Sequence, residues 1–108
     1  MRITTILIIA VLIPLSGPAW AGDSKAGEEK SATCAACHGA GGAVPISPQY
    51  PILAGQHEDY LAQALQQYQS GERKNMIMAG LVAALSEQDI ADLAAYFAAQ
   101  GSTLRTID

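Results

Sequence analysis

Cys34-Ala35-Ala36-Cys37-His38 is the stretch that decides how this chain is read. Its two cysteines are the only ones in the 108 residues, and a histidine follows the second directly. On one turn of helix, positions i and i+3 lie on the same face. Two thiols therefore point one way, with an imidazole beside them. A disulfide between residues this close would close a tiny loop and contribute little to the fold. A zinc site needs four tetrahedral ligands, and outside the pentapeptide His57 is the one further histidine. A thiol oxidoreductase places its Cys-x-x-Cys at a helix N-terminus, usually after a strand, and no alternating strand pattern occurs in this sequence.

The reading that remains is covalent attachment of haem c, for which Cys-x-x-Cys-His is the recognised pattern. Cys34 and Cys37 reach the two vinyl groups as thioethers, and His38 offers Nε2 to the iron as proximal ligand.

The N-terminus agrees with that chemistry. Arg2 precedes an apolar run from Ile3 to Leu15, prolines and glycine follow at Pro14, Gly17 and Pro18, and Ala19-Trp20-Ala21 has the small-x-small form of a cleavage site. This pattern predicts a secretory signal peptide over residues 1–21. The run is short of the roughly 20 apolar residues that a membrane span needs. Export to the periplasm is expected, with no stable membrane insertion after cleavage. Removing 21 of the 108 residues leaves 87, residues 22–108, as one domain. The formal charge of −4 becomes −5 when Arg2 leaves, and no basic patch exists for a nucleic acid. One Phe and four Tyr are the aromatic content of the mature part. So small a chain gains much from a covalently held apolar body.

Along the mature chain every pattern is helical. Asp23 and Ser24 are capping types ahead of a first helix expected from about Lys25 into the Cys34 region. From Gly39 to Gln56, glycines and prolines exclude regular structure. A loop of that length in a compact domain is expected to cover something, here the proximal side and edge of the haem. Tyr60, Leu61, Ala64, Leu65 and Tyr68 make one apolar stripe on a helix over residues 58–69, with Gly71 as its stop. Glu72 to Asn75 is a polar connection, Met78 leads into a small-residue turn at Ala79-Gly80, and Leu81 to Leu85 form a short helical turn. Ser86 and Asp89 resemble a capping box. They open a helix whose buried stripe is Ile90, Leu93, Ala94 and Phe97, ended by Gly101. The fold class is all-α.

The residues alone leave three donors open for the distal side of the iron: His57, Met76 and Met78. They also leave Gln56, Tyr60, Arg73 and Lys74 as candidates for the haem propionates.

Six segments carry a resemblance to a known family: C-A-A-C-H-G (34–39), P-I-L-A-G-Q (51–56), Y-L-A-Q-A-L (60–65), S-G-E-R-K-N (70–75), M-A-G (78–80) and L-S-E-Q-D-I-A-D-L-A-A-Y-F (85–97). In these the chain resembles class I cytochromes c, of the small bacterial monohaem type called cytochrome c-553. It is also similar to one half of dihaem cytochrome c-4. The resemblance implies the class I fold, with N- and C-terminal helices crossing and one covalent haem c wrapped by helices and a long loop. It places the distal ligand at Met78 and has the Pro51 carbonyl accept a hydrogen bond from His38 Nδ1. It has Leu53 pack on the haem, and Tyr96 and Leu93 meet the first helix near Ala26 and Gly27. One departure stands out: Lys30 occupies the position, four residues before the first cysteine, where many class I proteins carry an aromatic.

The same resemblance implies function. Methionine opposite histidine fills both axial positions and raises the reduction potential. That describes a periplasmic electron carrier shuttling single electrons between respiratory or other redox partners, docking transiently, and not an enzyme. The alternatives are a haem subunit of a larger dehydrogenase or oxidase, or a ligand-binding or catalytic haem protein if the methionine is labile.

Overall fold

The computed structural model describes residues 21–101. The leader expected over residues 1–21 lies outside them except for Ala21, as do residues 102–108. Within them the regular elements are five α-helices and one short 3-10 turn: α1 (Ser24–Lys30), α2 (Ala32–His38), the turn Ala40–Gly42, α3 (Glu58–Ser70), α4 (Met76–Val82) and α5 (Glu87–Ala98). No strand occurs among the described residues, so the all-α expectation holds.

The first helix is nearly the continuous one expected, with one interruption. Asp23 caps α1, its side chain accepting from the N–H of Lys25 at 3.0 Å and of Ala26 at 3.2 Å. At Ser31 the backbone stays helical (φ −80°, ψ −10°), but its N–H bonds Glu28 O three residues back at 3.2 Å. The Ser31 hydroxyl donates to the same oxygen at 2.7 Å. A serine hydroxyl that competes for the turn before it tightens the helix locally. The chain then restarts as α2, which carries the pentapeptide.

Helix α5 is the frame. Ser86 and Asp89 close the capping box in both directions, at 3.0 and 2.9 Å. Ile90, Leu93, Ala94 and Phe97 recur at i, i+3, i+4 and i+7 and are almost completely buried, as a one-faced stripe requires. Leu93, Ala94 and Phe97 form the core with Leu61 of α3. Gly71, left-handed at φ 83°, ends α3 one residue later than expected.

Helix α1 crosses α5 with its backbone in close contact. A Cβ on Gly27 would lie 2.0 Å from Asp92 O and 2.7 Å from Tyr96 Cβ. Only glycine permits that approach. Tyr96 meets Gly27 as expected, whereas Leu93 belongs to the core beside Leu61. Where an aromatic was expected, Lys30 reaches across the crossing and its ammonium pairs with Asp89 at 2.8 Å and Asp92 at 2.7 Å. Asp92 is 2% exposed. Its carboxylate also accepts from the Asp23 N–H and the Gln88 amide, each at 2.8 Å. A buried charge is tolerable when paired and hydrogen-bonded in this way.

Helix α5 ends at Ala98, short of the stop expected at Gly101, and two further segments differ from the sequence reading. A 3-10 turn at Ala40–Gly42 interrupts the loop, and the Gly42 carbonyl accepts from the N–H groups of Leu53 (2.9 Å) and Ala54 (3.2 Å), folding the loop back on itself. Helix α4 starts at Met76, before the helical turn expected at Leu81. The Asn75 side chain caps it, accepting from Ile77 and Met78 N–H at 3.0 Å each. Its hydrophobic sequence has no amphipathic period to betray it.

Candidate functional site

The cysteine-bearing helix, the loop after it, α3, α4 and α5 enclose a cavity of about 250 Å³. Cys34, Cys37, His38, Pro51, Leu53 and Met78, the residues singled out from sequence, all line it. Of the other distal candidates, Met76 is 93% exposed. His57 is also exposed and borders a separate depression with Glu58 and Asp59. Gln56, Tyr60 and Arg73 reach the rim, while Lys74 is exposed and does not line the cavity.

His38, 6% exposed, donates its Nδ1–H to the Pro51 carbonyl at 2.7 Å. That bond fixes the ring and its tautomer, leaving Nε2 with the lone pair a metal requires. Tyr50 stands edge-on to the imidazole at 6.2 Å between centroids. The Ile46 N–H bonds the Cys37 carbonyl at 3.0 Å, so the loop after α2 is laced to the pentapeptide.

The cavity walls are apolar. Leu61, Leu65, Val82, Leu93 and Phe97 face it from α3, α4 and α5. Among the described residues no buried side-chain nitrogen or oxygen lacks a hydrogen-bond partner. Burial pushes the Cys34 thiol above its ordinary pKa, the opposite of the lowered value on which thiol–disulfide exchange depends. Two thiols, one oriented imidazole and a thioether around an apolar cleft fit a flat, apolar, iron-bearing group.

The two cations near the cavity are both held. Lys30 is neutralised by Asp89 and Asp92. The Arg73 guanidinium lies 5.4 Å from the Tyr68 ring centre and 5.9 Å from that of Tyr60, and donates to the Tyr60 hydroxyl at 3.5 Å.

Residues 24–100 match the family profile of cytochrome c. The chain belongs to the cytochrome c family. Its cofactor is haem c, in keeping with the two cysteines of the pentapeptide. It is 45% identical to cytochrome c4 of Pseudomonas aeruginosa over 105 residues, which is 94% of this chain and 52% of that protein. It is 45% identical to cytochrome c-554(548) of Halomonas halodenitrificans over 83 residues, 74% of this chain and 99% of that one. Among solved structures, reduced recombinant cytochrome c4 from Pseudomonas stutzeri superposes with a TM-score of 0.73 at 41% identity, covering 82% of this chain and 50% of that chain. This chain thus spans about half the length of the cytochromes c4 that it matches.

Sequence reasoning missed Tyr50, Gln69 and Asn75 around this site. Tyr50 carried a signal, as the only aromatic of its loop and the neighbour of Pro51. Gln69 carried none.

Proposed function

We propose that this chain is a single-electron carrier of the periplasm, with haem c tethered through Cys34 and Cys37 and ligated by His38 and Met78. The observation that carries the proposal is the convergence of α2 and α4 on one apolar cavity, which Cys34, Cys37, His38 and Met78 all line. The bound group supplies an Fe(III)/Fe(II) couple that changes state with little movement of its surroundings.

The chain's own residues do the rest. Pro51 holds the His38 ring through Nδ1, presenting Nε2 as ligand and raising its basicity. Asn75 caps the helix that carries Met78, which would be the second protein ligand. Leu53, Leu93 and Phe97 keep water from the cleft. With His38 and Met78 both holding the iron, no position would be left for a substrate, which favours a carrier over a catalyst. The acidic mature chain is drawn toward basic surfaces on its redox partners, with transient docking. Cleavage after Ala21 delivers it to the periplasm, and no helix among the described residues is long and apolar enough to cross a membrane.

The test combines mass and absorption. The exported protein should weigh as the chain from Gly22 plus one haem and give a pyridine haemochrome of the doubly thioether-bonded type. Met78→Ala should abolish the weak red-end band of a methionine-ligated ferric haem and lower the reduction potential. If that band and the potential stay unchanged in Met78→Ala, the ligand assignment is wrong.

A further inference from the structure

Helix α4 is held unusually for an element that carries a ligand. It has seven residues, too few for a helix to persist on its own. Met76, Ile77, Gly80 and Leu81 are exposed, and Val82 is its one buried residue. Ile77, Met78, Leu81 and Val82 line the cavity, and side-chain amides bond both ends of the helix. Asn75 satisfies the first N–H groups. At the other end Gln69, on the last turn of α3, donates from Nε2 to Val82 O at 3.0 Å and to Leu85 O at 2.8 Å. Val82 O also accepts from the Leu85 N–H at 3.1 Å, so the Gln69 amide adds a second donor there and ties the end of α4 and the residues after it to α3, the longest helix among the described residues and a partner in the core.

We propose that Gln69 is a positioning residue for the distal ligand: its amide holds α4, and through α4 the Met78 thioether, in place, and so sets how easily an outside ligand displaces Met78. This rests on the reading of Met78 as ligand. Gln69 makes no contact with the cavity, so any effect on ligand exchange must pass through α4.

The experiment uses ferric holoprotein at 25 °C titrated with imidazole, comparing wild type with Gln69→Leu, Gln69→Glu, Gln66→Leu and Met78→Ala. Leucine keeps the bulk of Gln69 without the donor, and an ionised glutamate turns acceptors toward two carbonyls. Gln66→Leu is an exposed change on the same helix. Both Gln69 variants should bind imidazole about tenfold more tightly, the order expected from losing a hydrogen bond. The red-end band should weaken at imidazole concentrations that leave wild type untouched. Gln66→Leu should behave as wild type. Imidazole affinity within about twofold of wild type in the Gln69 variants would overturn the inference, as would an equal rise in Gln66→Leu. A lowered melting temperature with unchanged imidazole affinity would mean that Gln69 serves the fold alone, and would overturn it too. If Met78→Ala leaves affinity and band unchanged, the ligand assignment itself fails, and that result is distinct from a failure confined to Gln69. Should one Gln69 variant not fold, the other carries the test.

Discussion

Gly27→Ala tests whether the backbone contact between α1 and α5 is as close as it stands here. The added Cβ would lie 2.0 Å from Asp92 O, 2.6 Å from the Asp92 carbonyl carbon and 2.7 Å from Tyr96 Cβ. Real Cβ atoms keep at least 3.0 Å from such neighbours, so α1 must withdraw by 1 Å or more. The nearest obstacle is backbone, and no rotamer change relieves it. Overpacking of this severity costs about 3 kcal/mol, and alanine's better helix propensity returns about 1 kcal/mol. The net loss of about 2 kcal/mol should lower the melting temperature by about 8–16 °C in a domain of this size. Thermal unfolding of the holoprotein followed by far-UV circular dichroism measures it directly. If α1 were only loosely apposed to α5, propensity would win and alanine would stabilise. A melting temperature equal to or above that of the parent would therefore refute the close crossing.

The ion triad makes a prediction in pH. The Lys30 ammonium, with the Asp23 N–H and the Gln88 amide, holds Asp92 down at about 2, and Asp89 with Asp92 raises Lys30 to about 12. A depressed carboxylate stabilises fully above its unfolded value of about 3.9 and ceases to do so as pH falls through about 2. A raised ammonium stabilises fully below about 10.4 and ceases to do so as pH rises through about 12. The contribution is complete between about pH 4 and 10, and Lys30→Met should move the acid unfolding midpoint to higher pH in a circular dichroism titration; an unmoved midpoint would deny the triad that role. Asn75→Ala removes the cap of α4 and should cost about 1 kcal/mol of local stability, read as faster hydrogen exchange of the Met78 to Val82 amides while those of α5 stay protected.

What could be read from sequence, and what could not, follows from the range of the forces involved. Caps, stops and stripes are local, and Asp23, Gly71, the Ser86–Asp89 box and the Ile90-to-Phe97 stripe were all legible. The pentapeptide is also local, because its chemistry requires that spacing. Helix α4 was read too short because Met76 to Leu81 has no polar face to mark a period. Its helical state is decided by Asn75 and by tethering to α3. Lys30 read as a departure from the family pattern. Its partners lie about 60 residues away on α5, and only the fold reveals that a cation and two carboxylates stand where an aromatic was expected. Gln69 sits among four other glutamines or serines between Gln63 and Ser70, so nothing in its neighbourhood distinguishes it.

The two walls of the cavity are held in different ways, and this asymmetry bears on how the proposed carrier behaves. On the His38 side the imidazole is buried, bonded to the loop backbone at Pro51 and flanked by Tyr50, and the loop is bonded back to Cys37. Under the haem reading, the thioethers add covalent tethers on the same wall. On the Met78 side a seven-residue helix lines the cavity with Ile77, Met78, Leu81 and Val82 and is bonded at its ends by two amide side chains. Segments held by solvent-exposed hydrogen bonds are among the first to open. Opening of the site should therefore begin with α4 leaving α3, while His38 stays in place. On this view two side-chain amides help to separate a closed electron carrier from a protein whose iron admits outside ligands.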